Sequence, residues 1–479
     1  MQKVFINKPQ FEYDIHSLIK AFYPGEDVKV LCMEGRDPEA IFIDFEENGI
    51  RMRLGKKMEG GGCRAQYAAG AGRTEIKNIL KQLIYEVLSK HLEKELPWGT
   101  LTGIRPTKIP MGMLEEGWEE DGILEEMKRI YFISEEKGKL SIDIAKREKQ
   151  ILSSLHYKDG YSLYIGIPFC PTTCLYCSFP SYPIGVWKKR VGDYLDALEK
   201  EIAYISKAYE GKLLDTVYIG GGTPTTLDPE ELDRLLALMG KYFDLGCVQE
   251  FTVEAGRADS ITEQKLETLK KYPITRISVN PQTMKEETLK IIGRHHSVEQ
   301  VKDAFAMARR EGFDNINMDI ILGLPGETQE DVAYTVREIA KLRPDSLTVH
   351  SLAVKRASGL NRWIEENGIS ALNNTDITME IAAKAAMDMG MRPYYLYRQK
   401  NMSGNFENVG YAQPGKYGIY NILIMEEVQT IVACGAGSIS KRVYPDGRIE
   451  RCENVKDVAQ YIDRIDEMIE RKKRLFLDS

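Results

Sequence analysis

Between residues 161 and 350, short apolar runs alternate with helical patterns, and that alternation limits the fold more than any other feature of the chain. Strand candidates lie at 163–167, 216–219, 250–254, 276–279, 317–321 and 346–350. Helix candidates fall between them. One carries Leu195, Leu198, Ile202 and Ile205 on a single face; others span 229–242, 297–311 and 329–342. Repeated β-then-α units imply an α/β fold with a parallel sheet, open or closed as a barrel. Ligands in such folds collect at the C-terminal ends of the strands, so each motif below is judged by whether it falls there.

The flanking regions read differently. At 479 residues, two or three domains are expected. Residues 1–155 read as an accessory α+β domain, with strands at 3–6, 28–32 and 40–45 and helices at 11–22 and 75–92. Its glycines, Gly60–Gly62, Gly70 and Gly72, mark a loop, because no Lys-Ser/Thr follows in a phosphate-binding arrangement. Residues 156–370 hold the β/α units. Residues 371–479 read as a smaller α+β region with a helix at 378–389, the turn Cys434-Gly435-Ala436-Gly437 and one closing amphipathic helix. The net charge of −7 argues against a nucleic-acid partner. No run approaches the ~20 apolar residues of a membrane span, and Met1–Pro9 lack a signal-like apolar core, so the reading is cytoplasmic with no membrane partner.

Chemistry concentrates in Cys170-Pro-Thr-Thr-Cys174-Leu-Tyr-Cys177, just past the first strand. Three thiolates on one short loop suit three irons of a cubane cluster and leave the fourth iron open to a small ligand. S-adenosylmethionine (SAM) can bind such an iron through its amine and carboxylate. The alternative is a structural or zinc-binding set, but zinc takes four ligands and no fourth Cys or His lies nearby. The other cysteines, Cys32, Cys63, Cys247, Cys434 and Cys452, read as unpaired thiols. The second strand runs into Gly220-Gly221-Gly222-Thr223-Pro224-Thr225, whose bare backbone can approach a ligand closely. Glu254 ends the third strand, Gln282 follows the fourth and Asp319 lies in the fifth. Arg294 can pair with a carboxylate. His295 and His296 begin a helix, and His350 reads as structural.

These residues resemble a known family. The segment Tyr164-Ile-Gly-Ile-Pro-Phe-Cys170, the Cys triad with Tyr176, the Gly-Gly-Gly-Thr-Pro-Thr run, Gly293-Arg294, and Asn317 to Pro325 are similar to the radical SAM oxygen-independent coproporphyrinogen III oxidases. The likeness runs from about residue 160 to 445 in chain order. The N-terminal region and the 394–411 stretch resemble the HemZ-type coproporphyrinogen dehydrogenase subgroup. The resemblance implies a partial (β/α)6 barrel and a 4Fe–4S cluster on Cys170, Cys174 and Cys177. It implies a cluster-bound SAM touched by Tyr164, Gly221 and Glu254. A second SAM would be lined by Tyr176, Gly222, Thr223, Gln282, Arg294, Asp319 and Ala353, and Ile439 would be a further SAM contact. The implied reaction converts two propionates of coproporphyrinogen III to vinyl groups in anaerobic haem synthesis. The implied partners are that tetrapyrrole and a low-potential electron donor such as flavodoxin or ferredoxin. Arg398, Lys400 and Lys355 are candidates for the tetrapyrrole carboxylates.

The chain departs from the oxidases at three places. Phe179 stands where they have a further Cys, Tyr395-Leu396-Tyr397 where they have Asp-His-Phe, and their larger C-terminal extension has no counterpart. A haem-binding chaperone of the same superfamily is therefore an alternative. Such chaperones carry His-Asn-x-x-Tyr-Trp, and only Asn421 of that motif remains in the stretch from Tyr420 to Met425. A radical SAM enzyme acting on another tetrapyrrole, such as haem, is a third reading.

Overall fold

The computed structural model describes residues 1–24, 26–33, 35, 37–55, 62–103, 105–355, 358–368, 372–399 and 406–477. Gly60, Gly61 and Lys400 lie outside them. The chain forms two compact units: Met1–Lys146 with Leu396–Glu407, and Arg147–Tyr395 with Asn408–Ser479. No described helix is long and apolar enough to cross a membrane.

The first unit is built on a five-stranded sheet. Its strands are β1 (Gln2–Ile6), β2 (Val28–Leu31), β3 (Ile41–Glu46), β4 (Gly49–Leu54) and β5 (Cys63–Gln66), in the order β2-β1-β3-β4-β5. The pairs β1–β2 and β1–β3 are parallel; β3–β4 and β4–β5 are antiparallel. Helices Glu12–Phe22 and Arg73–Leu92 share its core through Ile15, Leu18, Ile19, Leu80, Ile84 and Leu88. The segment around Arg398 belongs to this unit. Glu407 accepts from Trp98 Nε1 at 2.7 Å and from Lys137 Nζ at 2.8 Å, a buried ion pair. Arg398 lies over the Trp98 ring, 5.6 Å from its centroid.

The second unit carries the expected α/β core. Strands β6 (Tyr161–Ile167), β9 (Leu214–Gly221), β10 (Glu250–Gly256), β11 (Arg276–Val279), β12 (Ile316–Leu322) and β13 (Ser346–Ser351) lie side by side in chain order, all parallel. Two short segments, β7 (Phe169–Cys170) and β8 (Tyr182–Pro183), bracket the cysteine loop. Strands buried on both faces read as continuous apolar runs, which is why these six were legible. The crossover helices start at strong caps: Asp228 with Glu231, Ser297 with Gln300, and Thr328 with Asp331.

The sheet extends beyond the six strands at both edges. At one edge β15 (Asn408–Ala412) pairs antiparallel with β13, followed by β14 (Arg392–Tyr397). At the other, β16 (Thr430–Cys434) pairs parallel with β6 and leads into the antiparallel β17 (Ile439–Val443) and β18 (Ile449–Glu453). The closing amphipathic pattern forms two helices, Val458–Asp463 and Ile465–Leu477, rather than one. The break at Arg464 lets both pieces deliver a side chain, Tyr461 and Lys472, to the buried Glu201.

Candidate functional site

The C-terminal ends of the parallel strands meet the cysteine loop. The Gly222 amide donates to the Ile167 carbonyl and the Thr223 amide to the Phe169 carbonyl, both at 2.7 Å. A side chain at Gly222 would put a Cβ 2.5 Å from the Phe169 oxygen, so only glycine permits this approach. Gly221 has a φ of +108°, a second position that favours glycine. On its other side the loop is tied to the segment after β11. The Leu175 amide donates to the Ile292 carbonyl at 3.0 Å, and the Thr172 hydroxyl to the Gly293 carbonyl at 3.0 Å.

Within this frame Cys170 is buried, and Cys174 and Cys177 are half-buried. Burial pushes the Cys170 thiol up to about 11, with the neighbouring Cys177 and Cys174 adding to the rise and a hydrogen bond from Thr223 opposing it. Thr223 Oγ1 donates to Cys170 Sγ at 3.7 Å. Cations approach the other two sulfurs. Arg257 Nη1 is 3.8 Å from Cys174 Sγ, and the Arg294 guanidinium interacts electrostatically with Cys174. Lys355 interacts with Cys177 and lies 5.3 Å over the Phe179 ring. Among the described residues no three His, Cys, Asp or Glu side chains converge tightly enough to hold one metal ion. A cubane takes one thiolate on each of three irons, and Cys170, Cys174 and Cys177 on one loop match that donor set. Arginines beside the sulfurs offset the negative charge of such a cluster.

Beyond the loop, Glu254 accepts from Tyr218 Oη at 2.5 Å. Burial raises its pKa to about 7, the Tyr218 bond opposing and Asp319 reinforcing the rise. Burial acts to raise Asp319 as well, but His350 and Asn317 hold its carboxyl below the ordinary value. Asn317 Nδ2 donates to Asp319 Oδ1 at 2.7 Å, and His350 Nε2 stands 3.8 Å from Oδ2. Gln282 has a φ of +67°, unusual for a side-chain-bearing residue, and its amide donates to the Asp319 carbonyl at 2.9 Å. Arg294 Nη2 donates to Tyr176 Oη at 3.2 Å, and its Nη1 to the Asn280 carbonyl. Tyr164 stacks with Tyr218 and Tyr420, ring centroids 6.1 and 6.2 Å away. Ala353 is half-buried two residues past β13. Ile439 is 43% exposed and opens β17 directly after the turn from Gly435 to Ser438. That turn meets the site from the β16 side: a Cβ at Gly435 would lie 2.4 Å from the Gly166 oxygen, and one at Gly437 would lie 2.7 Å from Pro180.

Strand-end reasoning missed Arg257, Tyr218 and the proximity of His350 to Asp319. Tyr218 was open to discovery, since it lies three residues before Gly221 on the strand feeding the glycine run. Of the cations considered for a tetrapyrrole, Lys355 stands beside the cysteine loop and Arg398 packs on Trp98 in the first unit.

Comparison with known proteins places these features in a family. The Radical SAM superfamily matches residues 164–339. The oxygen-independent coproporphyrinogen-III oxidase-like protein HemZ of Bacillus subtilis is 44% identical over 404 residues, covering 83% of this chain and 80% of that protein. The heme chaperone HemW of Bacillus subtilis is 38% identical over 196 residues, covering 40% of this chain and 51% of HemW. Among solved structures, the coproporphyrinogen III oxidase HemN of Escherichia coli shares the fold, with a TM-score of 0.52 at 23% identity over 67% of this chain and 73% of that one. The chain therefore belongs to the radical SAM superfamily and, within it, to the oxygen-independent coproporphyrinogen III oxidase-like proteins typified by HemZ.

Proposed function

We propose that the chain is a SAM-dependent oxidoreductase that converts two propionates of coproporphyrinogen III to vinyl groups, giving protoporphyrinogen IX. Each propionate would give one β-hydrogen atom to the 5′-deoxyadenosyl radical and release carbon dioxide, and its remaining electron would pass to a separate one-electron acceptor. The observation that carries the reading is the cysteine loop, bonded on one side to Gly222 and Thr223 and on the other to Ile292 and Gly293. The HemZ likeness, extending over 83% of the chain, supports the substrate class. Radical SAM membership implies a 4Fe–4S cluster and SAM. Cys170, Cys174 and Cys177 would hold the cluster. Tyr164, Gly221 and Glu254 would hold the SAM beside it, Tyr176, Gly222, Thr223, Gln282, Arg294, Asp319 and Ala353 would line a second, and Ile439 would be a further SAM contact. When bound, the reduced cluster and SAM supply a 5′-deoxyadenosyl radical able to take a hydrogen atom. The chain's own residues would position SAM, and a low-potential flavodoxin or ferredoxin would supply the electron.

The test is anaerobic turnover of reconstituted protein with SAM, a low-potential reductant and coproporphyrinogen III. Protoporphyrinogen should appear in step with 5′-deoxyadenosine. Deoxyadenosine without a changed porphyrin would reject this substrate. The HemW likeness supports a second reading, haem binding and transfer, which that outcome would favour. Here Tyr420, at the position of the chaperones' His, is buried and stacked 4.5 Å from Tyr218.

Glu254 gives a pH-dependent prediction. An ionised carboxylate accepts from SAM's ribose hydroxyls, and the protonated form does so poorly. With its pKa at about 7, the ionised fraction grows as pH rises from 6 to 8. SAM affinity should rise roughly tenfold over that window, from a group going from about a tenth to nine tenths ionised. Glu254→Gln should bind SAM weakly with a flat profile. Calorimetric titration across the window checks this; an equally steep profile in the Gln variant would remove Glu254 from the contact.

A further inference from the structure

Arg257 follows β10 directly, after Gly256, whose φ of +68° turns the chain out of the strand. The arginine is 3% exposed. Its Nε and Nη2 donate to the two oxygens of Asp259 at 3.0 and 2.7 Å. That bidentate pairing fixes the plane of the guanidinium. The remaining nitrogen, Nη1, faces the cysteine loop. It donates to the Thr172 carbonyl at 3.1 Å and to the Thr172 hydroxyl at 2.8 Å, and lies 3.8 Å from Cys174 Sγ. His296, fully buried, packs against the same carboxylate, with Nδ1 3.7 Å from Asp259 Oδ1. A buried cation is costly unless its charge is met. Asp259 meets it on one edge, and the other edge is presented to a sulfur.

We infer that Arg257 is a positioning residue for the cluster: anchored by Asp259, it holds the loop through Thr172 and raises the cluster's reduction potential through an N–H···S bond to Cys174. The inference rests on the reading of Cys170, Cys174 and Cys177 as cluster ligands. Reduction adds one electron from the donor and moves no proton, so the reduced cluster carries one more negative charge. A fixed guanidinium on a ligand sulfur stabilises that charge, and potentials of such clusters follow the hydrogen bonds to their sulfurs. Lysine would supply the charge without the fork.

The test compares wild-type protein with Arg257→Gln and Arg257→Lys, each reconstituted anaerobically. Iron and sulfide content and an EPR-monitored redox titration are the readouts. Arg257→Gln should make reduction about tenfold less favourable, a shift of about 59 mV to lower potential for one electron. Arg257→Lys should recover most of it. A Gln variant with full iron content and an unchanged potential overturns the inference. Should the Gln variant fail to hold a cluster, pulsed EPR of wild-type protein labelled with arginine-15N decides. It should show a nitrogen coupling to the reduced cluster that is missing from Arg257→Lys, and identical spectra overturn the proposal. Wild-type protein that takes up no 4Fe–4S cluster overturns the ligand reading itself, an outcome separate from either variant result.

Discussion

Cys174→Ala should strip the protein of its cluster and abolish reductive cleavage of SAM. In the proposed site three cysteines would hold three irons, so none is spare, and the fourth iron would stay open for SAM. The loss at this position has a further cost. Cys174 is the sulfur toward which both Arg257 and Arg294 are directed. With alanine there, both buried guanidiniums lose their interaction with this sulfur, Arg257 keeping Asp259 as its partner. Iron after reconstitution should fall to background, the visible absorption of the cluster should vanish, and deoxyadenosine formation should drop by a factor on the order of a thousand or more. Cys170→Ala and Cys177→Ala should behave alike. Cys247→Ala is the control, because that thiol is exposed and lies outside the site. Phe179 is 66% exposed and carries no ligand, so Phe179→Ala should keep its cluster as well. An alanine variant at Cys174 that cleaves SAM at the wild-type rate would end the assignment.

What the sequence disclosed here followed physical rules about which signals are local. The six parallel strands were legible because burial on both faces leaves continuous apolar runs. Helix Pro229–Tyr242 and helix Gln329–Leu342 were legible to the residue because Asp228 and Thr328 cap them. The edges of the large sheet were not. Strand β16 adds to β6 across more than 260 residues of chain, and no local pattern encodes that partner. Strand β4 hid because Arg51 and Arg53 interrupt its apolar residues, and Arg53 stacks over Phe42 instead of entering the core. The return of Leu396–Glu407 to the first unit depends on Glu407 meeting Trp98 and Lys137, contacts between residues far apart in the chain. In the site, the strand-end rule singled out Glu254, Gln282 and Asp319 and stopped three residues short of Arg257. A lone arginine past a strand has no spacing to mark it. Gly256, with a φ of +68°, ends the strand and places Arg257 just past it, beyond the reach of the strand-end rule.

Lys472→Met should destabilise the second unit by about 3–5 kcal/mol, the cost of breaking a buried ion pair. Lys472 and Glu201 are both 0% exposed, with Nζ 2.7 Å from Oε1. Burial acts to lower the Lys472 pKa, but Glu201 more than compensates, and the net shift is upward. The ammonium also donates to Asn454 Oδ1 at 2.7 Å. Glu201 accepts in addition from the Gly435 amide at 2.8 Å, from Tyr461 Oη at 2.6 Å and from Asn454 Nδ2 at 2.8 Å. Methionine fills the volume but leaves a carboxylate with no cation in an apolar interior. Glu201→Gln combined with Lys472→Met removes both charges and should recover part of the loss, and a double-mutant cycle by chemical denaturation measures the coupling. A single-variant loss below about 1 kcal/mol would mean the pair behaves as a solvent-exposed one. The consequence reaches the site because Gly435 opens the turn that packs on Gly166 and Pro180 and leads directly to Ile439. Weakening its anchor on Glu201 frees that turn. The Met variant, under conditions where it stays folded, should therefore bind SAM less tightly than wild type, while Lys473→Met, at an exposed pair with Glu470, should change neither stability nor binding.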